Sequence, residues 1–328
     1  MTPLGQALAE RIKADGPLSV EAYMEACNTY YYATRDPLGS GGDFTTAPEI
    51  HQMFGELVGA ALADVWMRAG KPQSAAYVEL GPGRGTLAED ALRVLRRAGF
   101  AGEVHLIETS AKLRKAQADR VPDAEFHETL LTVPPERPLL MVANEFFDAL
   151  PIQQFVGDYE RRVEWIGDSF AFDRDGEIRE RSPAREEFAA EIAKQLDLHG
   201  GVAIIIDYGH DRPDAIGDTL QAVRGHTYAL PLDHPGEQDL TAHVDFSALA
   251  QSAQRGRAQV SRVASQGTWL ETLGIGARAM ALAAKNPQDT EAIAAARRRL
   301  CDEEEMGRLF KVMAIRSPNW PEVAGLEA

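Results

Sequence analysis

The sequence predicts an α/β fold: a mostly parallel, Rossmann-like mixed sheet with helices on both faces. Three observations predict it. A strand, helix, strand, helix alternation runs over 76–80, 86–98, 103–107 and 110–120, and such alternation implies right-handed crossovers between parallel strands. Two runs, Pro138-Leu-Leu-Met-Val-Ala143 and Gly201-Val-Ala-Ile-Ile-Ile206, have the length and continuous apolarity of strands buried on both faces. Between the first strand and its helix lies Glu79-x-Gly81-x-Gly83-x-Gly85, a turn in which the backbone bends tightly and a ligand can approach where no Cβ intervenes.

The remaining elements follow in chain order. Residues 4–33 read as two helices split by Gly16-Pro17, with Ser19 as a cap for the second. Asp36 to Gly42 is too glycine-rich for regular structure. Thr46 and Glu49 have capping-box spacing and Pro48 sits in the first turn of a helix expected to run to Gly70. Residues 152–180 alternate like strands and are broken by Gly-Asp and Asp-Gly turns, which predicts an inserted antiparallel meander. A helix over 184–197 leads back to the sheet, and Arg308 to Ile315 reads as a late, antiparallel closing strand. The expected organisation is a helical cap and lid over 1–74, then a cofactor-binding domain over 75–328 with substrate or partner loops at 210–246.

Composition narrows the function classes. A net charge of −16 over 328 residues disfavours a general nucleic-acid binder, because a phosphate backbone would be repelled. The Arg-dense stretches at 93–97 and 297–299 read as exposed helix faces. Cys27 and Cys301 lie far apart with no C-x-x-C or His/Cys cluster, so neither a disulfide framework nor a zinc site is expected, and a reducing compartment fits. No apolar run approaches the ~20 residues of a membrane span. The N-terminus is helical in pattern and carries acid, unlike a signal or transit peptide, so a cytoplasmic protein is expected.

The glycine turn admits two cofactors. Gly83-Arg84-Gly85-Thr86-Leu87-Ala88 satisfies the relaxed dinucleotide-binding form. Glu79, on the strand two residues before the first glycine, favours S-adenosylmethionine, whose amino-acid end presents an ammonium group there. Glu108, at the carboxyl end of the next strand, suits a ribose diol, since a carboxylate accepts two hydrogen bonds from vicinal hydroxyls; the alternative is a solvated strand end. Next comes Asn144-Glu145-Phe146-Phe147-Asp148-Ala149-Leu150-Pro151. Asn144 and Asp148 could cap a helix, whereas Glu145 and Asp148 could orient a substrate nitrogen or guanidinium through its planar donor fork. Asp239-Leu-Thr-Ala-His243-Val-Asp245-Phe246 concentrates acid, hydroxyl and imidazole, with His243 either a general base or structural. Gly42-Asp43-Phe44 reads as a lid, with Asp43 able to reach the cofactor.

These stretches, with Asp207-Tyr208-Gly209 and Gly42-Asp-Phe-Thr-Thr-Ala-Pro-Glu-Ile50, resemble the MidA family of class I methyltransferases, in the expected order and over nearly the whole chain. One departure is His51-Gln52, where many relatives have Ser-Gln. The resemblance implies a class I methyltransferase fold and S-adenosylmethionine as cofactor. It implies that Gly81, Gly83 and Gly85 line the cofactor with Glu79 and Glu108 beside it, and Gly42, Asp43, Thr86 and Asn144 are the further cofactor-site candidates. Glu145 and Asp148 are then candidates for holding the acceptor, with His243 as the third catalytic candidate. Mitochondrial members assist assembly of respiratory complex I by symmetric dimethylation of an arginine on a core subunit, which implies a protein-arginine methyltransferase and a protein partner; the lack of a transit peptide points to a bacterial member. Two other readings stay open: a noncatalytic assembly factor on the same fold, and a dinucleotide oxidoreductase.

Overall fold

The computed structural model describes residues 1–34, 46–225 and 227–327. Seven strands form the main path of a nine-stranded mixed sheet: β1 (Ala76–Leu80), β2 (Val104–Ile107), β3 (Ala124–His127), β4 (Leu139–Asn144), β5 (Gly201–His210), β6 (Gln259–Val260) and β7 (Phe310–Arg316). Their order is β6-β7-β5-β4-β1-β2-β3, parallel from β5 to β3, with β7 antiparallel to both its neighbours. The order reverses at β1, where open α/β sheets form a ligand crevice beyond the strands' carboxyl ends.

Eight helices matter for the site: α1 (Pro3–Asp15), α2 (Val20–Thr34), α3 (Ala47–Ile50), α4 (Met53–Arg68), α5 (Thr86–Arg97), α6 (Ala111–Arg120), α7 (Pro183–His199) and α8 (Phe246–Arg255). Strand alternation sends Tyr77 to one core with Phe54, Leu62 and Leu92, and Ala76, Val78 and Leu80 to the other with Ile192, Leu196 and Leu249. Thus α4 and α5 cover one face and α7 and α8 the other. On α5, Leu87, Ala88, Ala91, Leu92 and Leu95 are buried, a helical-period stripe in which each leucine contributes about 1.5–3 kcal/mol. Gly59 on α4 permits the close crossing, since a Cβ there would stand 2.6 Å from the Ala91 Cα. Among the described residues, no helix is long and apolar enough to cross a membrane.

The mixed sheet with helices on both faces, the N-terminal helices and the extra antiparallel strands match the expected fold. Local details differ. The helix expected over 48–70 is broken, because His51 is extended (φ −167°, ψ 143°) and α3 ends there. The Thr46 side chain forms no capping bond, and Glu49 instead accepts the Thr86 hydroxyl at the start of α5. Strand β3 escaped the sequence reading, being four residues at the sheet edge. The antiparallel strands of 153–181 divide between two three-stranded sheets. One of them pairs Arg162–Ile166 with Leu18–Ser19 from the α1–α2 connection. A third small sheet joins Gln221–Arg224 to Thr227–Ala229 and Asp239–Thr241, where a loop was expected. A third core containing Leu8, Ile12, Met24, Ile152, Val163 and Leu240 fastens α1 and α2 to these sheets.

Candidate active site

Strand register brings the chemistry together. Leu80 pairs with Ala143, and Asn144 with Ile206, so the chain leaves β1 and β4 as Gly81 and Glu145 beside Asp207 of β5. Asp207 lies on β5 rather than after it, because that strand continues to His210.

The glycine turn forms as expected. Gly81, Gly83 and Gly85 have φ of 60°, 55° and 81°, left-handed values that side chains other than glycine tolerate poorly. A Cβ on Gly81 would stand 2.9 Å from the Phe146 ring, whose edge packs against Phe147 and Phe188. Glu79 is buried beneath the turn and accepts the Tyr77 hydroxyl at 2.5 Å. Burial pushes its carboxyl up to about 8, with the tyrosine opposing, because desolvation penalises the ionised form.

Glu108 is half-buried at the end of β2 and accepts the Ser110 amide at 2.8 Å and Gln117 Nε2 at 3.3 Å. The same Gln117 nitrogen donates to the Gly83 carbonyl at 2.6 Å, so one buried amide ties the glycine turn to the acid. Sequence reasoning missed Gln117. Its signal is position: with Leu113 it forms the buried face of α6, where a glutamine needs a reason. Two buried atoms here have no protein partner, Gln117 Oε1 and Asn144 Oδ1. Lone acceptors of this kind, a crevice floor without Cβ atoms and two flanking acids fit a nucleoside with an ammonium-bearing tail. Thr86 stands at the first position of α5 with its hydroxyl given to Glu49. Gly42 and Asp43, the lid candidates, lie outside the described residues.

Beyond the turn lies a cluster of acids. Glu145 has a φ of 49°, strained for a residue with a side chain. Its Oε1 accepts the Ala47 amide at 3.0 Å and Asn144 Nδ2 at 3.2 Å. Burial, with Asp148 and Asp239 nearby, pushes its carboxyl up to about 8 against these bonds. Asp207 is fully buried and holds the segment by accepting the amides of Phe147 and Asp148 at 3.0 and 3.1 Å. Asp148 is buried with Tyr208 beside it; burial raises both Asp148 and Asp207 above the usual carboxylate range. Tyr32 of α2 donates to Asp239 Oδ1 at 2.8 Å. It is delivered there by Asn28, one turn earlier, which donates to the carbonyls of Ala149 and Leu240 at 2.9 and 2.7 Å.

The buried cation of this neighbourhood, Arg185, turns to the backbone. It donates to the carbonyls of His243, Asp148, Ala242 and Leu150 at 2.7, 2.9, 3.1 and 3.3 Å. Sequence reasoning missed it, although a cation in a helix's first turn opposes the macrodipole and so signals a tertiary role. His243 stands apart from Glu145 and Asp148. Its ring packs edge-on against Tyr208, 5.6 Å between centroids, and it lines a separate cavity of about 890 Å³ with His210, Arg181 and Asp245. Burial, then His210 and Arg185, lowers its pKa and favours neutral imidazole.

Comparison with known proteins accords with this geometry. A family model described as "Putative S-adenosyl-L-methionine-dependent methyltransferase" matches residues 57–172 and 159–263. The chain is 34% identical over 371 residues to the mitochondrial protein arginine methyltransferase NDUFAF7 homolog of Drosophila melanogaster, covering 95% of this chain and 84% of that one. It is also 34% identical over 372 residues to the protein arginine methyltransferase NDUFAF7, mitochondrial, of Mus musculus, covering 96% and 84%. Among solved structures, a COG1565 superfamily member from Burkholderia thailandensis bound to S-adenosyl-homocysteine superposes with a TM-score of 0.86 at 26% identity, covering 98% of this chain and 94% of that one. The cofactor is S-adenosylmethionine, and the chain belongs to the MidA (Methyltransf_28) family of S-adenosylmethionine-dependent methyltransferases.

Proposed function

We propose that the protein methylates a guanidinium nitrogen of an arginine in a partner protein. One observation carries this reading: Glu145, Asp148, Asp207 and Asp239 converge beside the cofactor turn, while the terminal nitrogens of Arg185 donate to backbone carbonyls. A desolvated acidic cluster is stabilised by an incoming cation, and a planar guanidinium can meet two carboxylates at once. The relatives' names as protein arginine methyltransferases support the same reading.

In this reading the glycine turn and Asn144 would hold the cofactor, with Glu79 for its ammonium group and Glu108 for its ribose hydroxyls. Bound there, S-adenosylmethionine would supply an electrophilic sulfonium methyl whose leaving group is a neutral thioether. Glu145 and Asp148 orient the guanidinium and take the proton that its nitrogen loses. Burial raises the Glu145 carboxyl to about 8 in the ligand-free protein, and an arriving guanidinium draws it back toward the ionised form that can accept a proton. Tyr32 fixes the Asp239 carboxylate, and most of the acceleration comes from positioning and electrostatics.

The family resemblance makes a core subunit of respiratory complex I the first acceptor to test. Methyl-labelled cofactor and that subunit, or a lysate of cells lacking this protein, are incubated with wild type and with Glu145→Gln plus Asp148→Asn. The expected result is label in arginine, lowered at least tenfold in the double variant, about the loss of one charge-assisted hydrogen bond. S-adenosylhomocysteine affinity stays within about threefold, roughly 0.7 kcal/mol. Arginine labelling undiminished in the double variant refutes the assignment.

A further inference from the structure

We propose that His105, Glu125 and His127 form a binding site for a divalent first-row transition ion, zinc being the fitting occupant, at the β2–β3 edge of the sheet. The three residues meet through strand register. His105 pairs with Glu125 and Ile107 with His127, and residues two apart on a strand share a face. One donor atom from each lies within 4.8 Å of the other two.

The distances suit a tetrahedral ion. His105 Nδ1 and His127 Nε2 face each other at 3.0 Å, and Glu125 Oε2 stands 3.6 Å from His105 Nδ1. Zinc–nitrogen bonds of about 2.0 Å at the tetrahedral angle separate neighbouring donors by about 3.3 Å. The ion takes the place of the hydrogen bond between the two neutral imidazoles, each keeping its one proton on the outer nitrogen, so the ring that donated in that bond changes tautomer on binding.

One outer nitrogen is oriented: His127 Nδ1 lies 3.1 Å from Thr132 Oγ1. A partner of this kind fixes the ring and its tautomer so that the inner nitrogen is free to bind metal. His105 Nε2 is buried without a hydrogen-bond partner, with Glu103 Oε2 3.4 Å away. Rigidity differs across the set: His105 is fully buried, whereas the Glu125 side chain is 61% exposed, leaving a fourth position for water. The ion would tie down β3, which as an edge strand has a single hydrogen-bonded neighbour. The His127 carbonyl accepts the Glu108 amide at 2.9 Å, so the same anchor steadies the strand end that carries Glu108.

The test titrates untagged, chelator-treated full-length protein with zinc sulfate by calorimetry, and with cobalt(II) for its visible absorption. The expected result is one zinc per chain, tetrahedral-type cobalt absorption, and affinity at least tenfold lower in both Glu125→Gln and His127→Ala. Zinc should also raise the melting temperature of wild type more than that of either variant. Native far-UV circular dichroism and a cooperative melt of the metal-free variants show that they fold. Absence of a saturable site, or equal zinc affinity in wild type and His127→Ala, overturns the assignment.

Discussion

Arg185 offers a perturbation whose size follows from the structure. The side chain is 4% exposed and spans two segments, the carbonyls of Asp148 and Leu150 on one side and those of Ala242 and His243 on the other. Arg185→Met keeps a comparable length and removes every donor. Hydrogen bonds from a charged donor contribute about 1.5–3 kcal/mol each, and the two shortest here, 2.7 and 2.9 Å, set a floor. Methionine burial recovers part of this, so the expected destabilisation is about 3–5 kcal/mol, as for a buried polar assembly that loses one member. Urea denaturation followed by circular dichroism measures it. Lys194→Met serves as control, because Lys194 is exposed and meets Glu191 at 3.5 Å, and should cost no more than about 0.5 kcal/mol. The pH dependence supplies a second check. Arg185 lowers the pKa of both Asp148 and Asp207 against burial, so its removal moves both further up. An acid whose folded pKa exceeds its unfolded value stabilises the fold while both states are protonated and loses that contribution as pH rises toward the folded pKa. The deficit of Arg185→Met should therefore grow as pH rises past the raised wild-type folded pKa values of these two acids. A loss below about 1 kcal/mol, or a deficit independent of pH, refutes the role of Arg185 as the strut of the acidic segment.

Two further predictions concern the cofactor turn. Gly81→Ala places a Cβ at a φ of 60° and 2.9 Å from Phe146; the left-handed backbone costs about 1–2 kcal/mol before the ring moves, and calorimetry should record at least tenfold weaker S-adenosylhomocysteine binding. Unchanged affinity would show that the turn does not approach the ligand. In cofactor-free protein, Glu79 keeps its proton up to about 8 while the unfolded chain releases it near the ordinary carboxylate value. Stability should thus fall by roughly 3–5 kcal/mol between about pH 4.5 and 8 from this group, and Glu79→Gln should flatten that slope in denaturant titrations across the range. An equal slope in the variant would mean that Glu79 is ionised in the fold.

How much was legible depends on the range over which each feature is decided. The glycine turn, β1 and α5 stand where the sequence places them, because positive φ, continuous apolarity and a helical stripe are settled within a few neighbouring residues. The Asn144-Glu145-Phe146-Phe147-Asp148 stretch announced a site through its density of acids after a buried strand. Its acidic character is deeper than the motif suggests, since Asp239 and Tyr32 arrive from sequence positions separated from it by about ninety residues or more. His243 was legible as a residue of interest but not as to place, and packing sets it across Tyr208 in a different cavity.

The sequence by itself determined the layered α/β architecture, the family and the cofactor, all carried by short motifs with local geometry. Only the tertiary structure decided that Leu18–Ser19 pairs with the strand at Arg162 and Val163, that Gln117 joins the glycine turn to Glu108, that Arg185 is consumed by carbonyls, and that His105, Glu125 and His127 share a face. The physical reason is that register and side-chain juxtaposition are chosen by the burial of whole faces. A strand shifted by one residue would turn every side chain over, and nothing within a few residues of His105 records which neighbour the sheet will bring beside it.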